Sequence, residues 1–349
     1  MARDYGLREA TTMMFTKGLS IARFVAIILL STLAAPRSGE AGDLKTVNVG
    51  MQPIVNGPLF IAIKEKYFEQ MGLQLNLIKF TSAPAQFAAI AGGQIDLAWG
   101  GLGPFLLAKA NGQDLNFFAV FLDYSPLQGI AVPAASTIKT IRDLAGKKIA
   151  LVQGSDTQYD LFKALQENGM DRNALTILGM APPQGVAALQ SGDVDATFTW
   201  EPFLTPLTQQ GARVIFRTNQ LNSGSAFIGW AGKKAWLDAN EDVIVTILKG
   251  WNMGLKKMRE DPELAIRYSM EWSGINETQA RTIQEKLVYY DATAAIDPKQ
   301  PPYWAKGSKL NVMLHDFLAF GQESKLVKGD TDVDGYVITR FMQAVKDGK

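Results

Sequence analysis

IDLAWGGLGP, residues Ile95 to Pro104, is the stretch on which the fold turns. Apolar residues alternate at Ile95, Leu97 and Trp99. The run then breaks into Gly100, Gly101 and Gly103, and Pro104 opens the apolar helical run that continues FLLAKANG. Strand, glycine turn and proline near the first helical position read as a β–α junction. Glycines leave its backbone N–H groups uncovered. The first N–H groups of a helix lack partners and carry partial positive charge, so such a junction can seat an anion. Trp99, at the strand's end, would form a flat wall beside it. The plainer reading is a tight turn with Trp99 in the core, and these ten residues leave both open.

Outward from this stretch the same rhythm repeats. KTVNVGM (Lys45–Met51) alternates as a strand, a loop from Gln52 to Gly57 follows, and Pro58 begins a helical run that stops at Gly72. LQLNLIKF (Leu73–Phe80) is a strand, Thr81 to Pro84 caps the helix AQFAAIAGG, and LNFFAVFL (Leu115–Leu122) is a fourth strand. Strands alternating with helices at short spacing predict a parallel sheet with right-handed crossovers. At Ser125–Pro133 the rhythm changes, and the short strand GIAVP marks a crossing into a second unit. A brief helix at Thr140–Leu144, a strand at Lys147–Gln153 and a helix after Gly154-Ser-Asp-Thr157 follow. Next come a strand at Leu175–Met180 and a helix at Pro183–Ser191. GDVDATFTWEP (Gly192–Pro202) then repeats the design of GGQIDLAW (Gly92–Trp99): an acidic turn, a strand and a terminal Trp. Two α/β halves are predicted, each aiming a strand-end aromatic and helix N-termini at one cleft. Arg213–Phe216 is a strand and Ala226–Ala231 the return crossing. The remainder reads as helical at Asp242–Glu260, Pro262–Trp272, Thr278–Val288, Gly307–Gly321 and Asp334–Lys346.

The first forty or so residues read as an address. Arg3, Arg8, Lys17 and Arg23 precede the apolar FVAIILL (Phe24–Leu30), followed by the small-residue stretch STLAAPRSGEAG. This is a secretory signal pattern over residues 1–41, with cleavage after Ala34, Ala35 or Ala41; the alternative is an uncleaved anchor. The apolar core is short of the roughly 20 residues a membrane span needs. The long basic lead also allows a start at Met13 or Met14. Cysteine is absent, which excludes disulfides, thiolate metal sites, a cysteine nucleophile and a lipobox anchor. A net charge of +1 without a basic block argues against nucleic-acid binding. His315, the single histidine, lies in the helical run NVMLHDFLAF and reads as surface or helix packing, which leaves a zinc site or a Ser-His triad little to build on. No cofactor and no metal are expected.

Taken in order, several segments carry a resemblance. They are the signal pattern, VNVGMQ, GPLFIAIKEKYFEQMGL, GGQIDLAWGGLGPFLLAKANG, IKTIRDLAGKKIALVQGSDTQYDLFKAL and GDVDATFTWEPF. Over about residues 45 to 300 the chain resembles periplasmic solute-binding proteins of ABC importers, of the nitrate/sulfonate/taurine type. The resemblance implies an α/β fold of the two-lobed periplasmic binding protein type II, with two crossovers and the ligand in the interlobe cleft. Residues 44–128 plus 226–349 would form lobe one, residues 129–225 lobe two, and hinges would lie near 126–131 and 224–228. It also implies a monomer without enzymatic activity, working in the periplasm, that delivers a small anionic or zwitterionic solute to a permease in the inner membrane. A binder of aromatic or heterocyclic solutes or simple anions is the alternative, including aromatic sulfonates or carboxylates, a thiamin pyrimidine precursor and nitrate. A sensory receptor is another. The same fold serves enzymes, including one that makes the thiamin pyrimidine with a histidine-bearing site and a cysteine-rich iron motif. This chain has neither near its cleft.

The candidate ligand-binding residues follow from both readings. Gly100 and Gly101 offer backbone N–H groups. Ser155 and Thr157 offer hydroxyls at a helix start, or are ordinary caps. Asp156 and Glu201 sit badly beside an anion, and a zwitterion resolves this: its acidic head lies on helix N-termini and its ammonium meets Glu201 or Asp156. Taurine fits that description. The alternative for Glu201 is an acid stabilising its own helix. Trp99, Tyr124, Trp200 and Phe227 would stack on the ligand or pack in the core. Gln52 and Asn56 lie on the first loop within reach of a ligand, and Asp123 follows the fourth strand.

Overall fold

A computed structural model describes residues 44–222 and 226–349. The signal pattern at 1–41 and part of the return hinge lie outside the described residues. The chain opens with β1 (Lys45–Met51), α1 (Gly57–Lys64), α2 (Tyr67–Gln70), β2 (Leu73–Lys79), α3 (Ala83–Ala91), β3 (Leu97–Gly101), α4 (Leu102–Ala110) and β4 (Leu115–Asp123). It continues through β5 (Gln128–Val132), β6 (Lys148–Leu151), α5 (Asp156–Glu167), β7 (Thr176–Gly179), α6 (Pro182–Ser191), β8 (Ala196–Trp200), α7 (Leu204–Gln209) and β9 (Arg213–Arg217). After β10 (Phe227–Lys233) come α8 (Lys234–Ala239), α9 (Glu241–Glu260), α10 (Pro262–Ser273), α11 (Glu277–Lys286), β11 (Val288–Tyr289), α12 (Lys309–Glu323) and α13 (Arg340–Lys346).

Two sheets result. One has the order β11-β4-β10-β3-β1-β2 and the other β7-β6-β8-β5-β9. The chain leaves the first sheet after β4 and re-enters it at β10, so two crossovers join the sheets. β1 pairs parallel with β2 and β3, and β6 pairs parallel with β7 and β8, as strand–helix alternation requires. The crossing strands break the parallel rule. β10 inserts antiparallel between β3 and β4, and β5 inserts antiparallel between β8 and β9. Both sheets are therefore mixed: the strand–helix units are parallel as expected, and the crossing strands add antiparallel pairs. A strand arriving from the other sheet enters from the opposite end, which local sequence spacing does not encode.

Several boundaries differ from the sequence reading. Gly100 and Gly101 are not a turn: they close β3, paired with Gly229 and Ile228 of β10. The helix expected from Pro58 to Gly72 is two helices. Lys66 takes φ 59° and redirects the chain, which seats fully buried Phe68 against Gly250 of α9. The helix expected from Asp334 begins at Arg340, because Val337 bridges to Phe117 and Ile338 donates to the Phe117 carbonyl at 2.7 Å. The predicted helix at Thr278–Val288 ends at Lys286, and Val288–Tyr289 instead edge the first sheet against β4.

The insertion of β10 demands a glycine. A Cβ on Gly229 would stand 1.9 Å from the Ala119 carbonyl oxygen in β4. Backbone cannot give way there, so Gly229→Ala is expected to destabilise the protein by about 3 kcal/mol, the upper range of core overpacking. Urea unfolding followed by circular dichroism reads this as a lower midpoint; an unchanged midpoint would mean that β10 is not seated between β3 and β4.

Candidate functional site

The ends of β1, β3, β4, β6 and β8 and the starts of α3, α4 and α5 meet at one cavity of about 40 Å³. Gln52 and Ile54 line it from the loop after β1, and Tyr124 from the end of β4. Ser82, Ala83 and Pro84 come from the start of α3, Gly101 and Pro104 from that of α4. From the second sheet come Val152, Ser155, Asp156 and Thr157 at the β6–α5 junction, Trp200 at the end of β8 and Gln128 at the start of β5. Ile228 of β10 completes the wall.

Three helix N-termini thus face one space, with Ser82, Gly101 and Ser155 at the cap positions. Each brings unpartnered N–H groups and partial positive charge. The lining contains no lysine, arginine or histidine. No cationic side chain would meet an anion there.

Hydroxyl chemistry at α5 is partly committed. Ser155 Oγ donates to the Val152 carbonyl at 2.6 Å and lies 2.7 Å from Thr157 Oγ1. A hydroxyl has one proton, so Thr157 donates to Ser155 and both protons are engaged locally. Gly154, at φ 72°, donates its N–H to Gln158 Oε1 at 2.8 Å and tightens the turn. The body of α5 is tied to α12. Tyr159 Oη donates to Asp316 at 2.8 Å, Lys163 pairs with the same carboxylate at 2.8 Å, and the Tyr159 ring lies 4.7 Å from that of Phe317. α12 in turn packs on α4, where a Cβ on Gly103 would meet the Phe317 ring.

Asp156 spans the cleft. It belongs to α5, yet a Cβ on Gly101 of β3 would lie 2.2 Å from its Oδ2. Burial pushes its carboxyl up to about 7, with its own backbone N–H pulling the other way. Tyr124 is buried, and burial first, then the charges of Glu201 and Tyr289, holds its phenol well above the ordinary range. It stays a donor and gives its proton to the Glu201 carbonyl at 3.0 Å, joining the two sheets.

Of the residues expected from sequence, the cavity brings together Gln52, Gly101, Tyr124, Ser155, Asp156, Thr157 and Trp200. The others lie elsewhere. Trp99 is fully buried between Phe121, Trp230 and Trp251, at ring distances of 5.8, 5.4 and 5.7 Å. Gly100 lies under the ring of Phe105. Asn56 is buried at the start of α1, and its side-chain amide has no partner among the described residues. Asp123 accepts from the Ser125 N–H and hydroxyl and so shapes the turn into β5. Glu201 is buried and accepts the Thr205 N–H at 2.9 Å, capping α7; burial raises its pKa, opposed by Thr205, Arg217 and Lys286. Phe227 packs against Tyr290. Sequence reasoning missed Ser82–Pro84, Gln128 and Ile228. The Ser-Ala-Pro run was read only as a cap, though the logic applied to Gly101 and Ser155 covers it too. Nothing local marks Gln128, which reaches the site through its pairing with Trp200.

His315 lies on the exposed face of α12, 3.1 Å from Asp334. Hydrogen bonds from Asn311, His315 and Lys306 hold Asp334 well below the usual carboxylate range. Among the described residues, no cluster of three or more His, Cys, Asp or Glu could hold a metal ion, and no helix is long and apolar enough to cross a membrane.

Two sheets joined by two crossovers around a cleft of helix N-termini define the periplasmic binding protein fold, and family comparison adds the lineage. The family described as NMT1/THI5 like matches residues 54–265. The chain belongs to the NMT1/THI5-like family. It is 30% identical over 263 residues to the "Putative aliphatic sulfonates-binding protein" of Bacillus subtilis, covering 72% of this chain and 77% of that one. It is 25% identical over 330 residues to the taurine-binding periplasmic protein of Escherichia coli, covering 91% and 100%. The fold matches the alkanesulfonate-binding protein SsuA from Xanthomonas axonopodis pv. citri with a TM-score of 0.71 at 21% identity, over 85% of this chain and 99% of that chain. Those relatives are named for binding aliphatic sulfonates, taurine or alkanesulfonates.

Proposed function

We propose that this NMT1/THI5-like protein is the periplasmic substrate-binding component of an ABC importer. It takes a small sulfonate, preferably one that also carries an ammonium group, as taurine does. The observation that supports this most is the convergence of α3, α4 and α5 on a cavity without a cationic side chain. Helix dipoles suit a monoanionic head with several oxygens. Gln52, Gly101, Tyr124, Ser155, Asp156, Thr157 and Trp200 are the proposed ligand contacts, joined by Ser82 and Gln128. Asp156 rather than Glu201 meets the ammonium, since Glu201 is occupied by Thr205.

A cavity of about 40 Å³ is only a few times the ~10–15 Å³ that holds one water. A two-carbon sulfonate is larger, so uptake draws Asp156 or the two sheets apart and binding closes them again. The closed, liganded form then docks as a monomer on a membrane permease. The protein binds and hands over its solute without transforming it.

Thermal unfolding of the mature protein against a panel tests this. Taurine, ethanesulfonate, aminoethylphosphonate, MOPS, nitrate, aromatic sulfonates and carboxylates and a thiamin pyrimidine form the panel. A ligand at one hundred times its dissociation constant adds about 2.7 kcal/mol of stability, a readable rise in the melting temperature. Taurine or ethanesulfonate is expected to raise it. A rise with nitrate or the aromatic compounds alone overturns the sulfonate reading.

A further inference from the structure

Asp160 lies one turn along α5 from Asp156 and is fully buried. Its Oδ2 is 2.7 Å from Thr218 Oγ1, and its Oδ1 has no partner. Thr218 is buried too, and its Oγ1 lies 3.3 Å from Oε1 of Gln128. Gln128 is 5% exposed and lines the cavity. The three side chains form a chain from the interior to the ligand site.

With Oε1 of Gln128 facing Thr218, proton counting gives its direction. Thr218 has one proton to give. If Asp160 were a carboxylate, that proton would go to Asp160 at the shorter distance. Gln128 Oε1 would then face a bare oxygen lone pair inside the protein, and the amide would gain nothing from its orientation. If Asp160 carries a proton, Asp160 donates to Thr218 and Thr218 donates to Oε1 of Gln128. Both the Asp160–Thr218 and the Thr218–Gln128 contacts are then hydrogen bonds. Burial first disfavours the Asp160 carboxylate, the Thr218 hydroxyl favours it, and the charges of Asp156 on its own helix and Asp123 at the end of β4 disfavour it.

We propose that Asp160 and Thr218 are positioning residues for Gln128. Asp160, as the neutral acid, donates to Thr218; Thr218 donates to Gln128 Oε1; and the Gln128 Nε2 amide is thereby turned to the cavity as a donor for the ligand's oxyanion. This rests on the sulfonate reading above and adds a side-chain donor to the helix N-termini. It also selects for ligands with an acceptor oxygen at that point, because an apolar or donor group would leave Nε2 unpaired in a closed site.

The test is calorimetric titration of ethanesulfonate and taurine into the wild type, Thr218→Val, Thr218→Ser, Asp160→Asn, Gln128→Leu and the Thr218→Val/Gln128→Leu double variant. Circular dichroism melts select the variants that fold. Thr218→Val is expected to weaken both probes about tenfold, the value of one hydrogen bond to a charged group. Thr218→Ser restores the hydroxyl and stays within about threefold of wild type, within the scatter expected when a hydrogen bond is retained. Asp160→Asn does the same, because its amide still donates to Thr218. The double variant is expected to lose no more than Gln128→Leu alone, since Thr218 acts through Gln128. Additive losses overturn the proposal, as does an Asp160→Asn loss equal to that of Thr218→Val. The Asp160→Asn and Thr218→Ser comparison stands even if the valine variants do not fold. A wild type that binds neither probe overturns the sulfonate reading, and this inference with it. A wild type that binds both while Thr218→Val binds equally well overturns this inference alone.

Discussion

Trp99→Ala is expected to cost about 3–5 kcal/mol of folding stability, as aromatic-to-alanine changes in a packed core do. The two strand-end tryptophans occupy similar sequence settings, and the structure gives them opposite surroundings. Trp99 has no exposed surface and touches the rings of Phe121, Trp230 and Trp251, three aromatics from β4, β10 and α9. Removing it leaves a void that these rings cannot fill without leaving their rotamers. Trp200 is 7% exposed, has Phe203 on one side at 6.4 Å and faces the cavity. Trp200→Ala is therefore expected to cost less stability than Trp99→Ala and at least about tenfold in ligand affinity, the loss of one stacking wall. Urea unfolding and calorimetric titration of the two variants give the comparison. If Trp99→Ala kept its unfolding midpoint and lost the ligand, Trp99 would belong to the site.

Asp156→Asn is expected to change both the pH profile of stability and the choice of ligand. The Asp156 carboxyl is pushed up to about 7 by burial, against roughly 3.9 in an unfolded chain. The folded protein thus holds a proton that the unfolded chain releases. The stability tied to that proton is complete below pH 4 and is lost as the pH rises through 7. Asn carries no charge at either pH. The variant should therefore gain roughly 1–3 kcal/mol over wild type at pH 8, after discounting for solvent around a half-buried side chain, and nothing at pH 4. Melting curves at both pH values read the difference; a gain equal at both would be packing, not charge. Ligand preference follows the same switch. At pH 8 the ionised Asp156 attracts an ammonium, so wild type should prefer taurine to ethanesulfonate by about tenfold, and Asp156→Asn should erase the preference. Ethanesulfonate binding more tightly than taurine to the wild type at pH 8 would remove Asp156 as the ammonium's partner.

These two residues show where sequence reading stops. Trp99 and Trp200 follow similar acidic turns, but β3 runs two residues past Trp99 while β8 ends at Trp200. Which of them faces the cleft depends on what packs behind it. Trp230 and Trp251, more than a hundred residues away, enclose Trp99. Asp156 was legible as a helix-start acid, and its awkwardness beside an anion was legible too. Its reach to Gly101 was not, because that distance is set by how two separately built sheets meet. Gln128 carries no local mark at all, since its place comes from pairing with Trp200.

What the sequence determined by itself are the features that live within a few residues. Alternation of apolar residues, proline and glycine at helix boundaries, and Ser, Thr or Asp at caps specify most strands and helices, their order and the α/β class. The same local physics marks the helix N-termini after β3 and β6 as candidate anion seats, because unpaired N–H groups follow from where a helix begins. What only the tertiary structure decided are the antiparallel insertions of β5 and β10, the burial of Trp99, the capping role of Glu201 and the Asp160–Thr218–Gln128 chain. Each depends on partners distant in sequence, whose approach is set by close packing of the whole core and by the hydrogen bonds that most buried polar groups find.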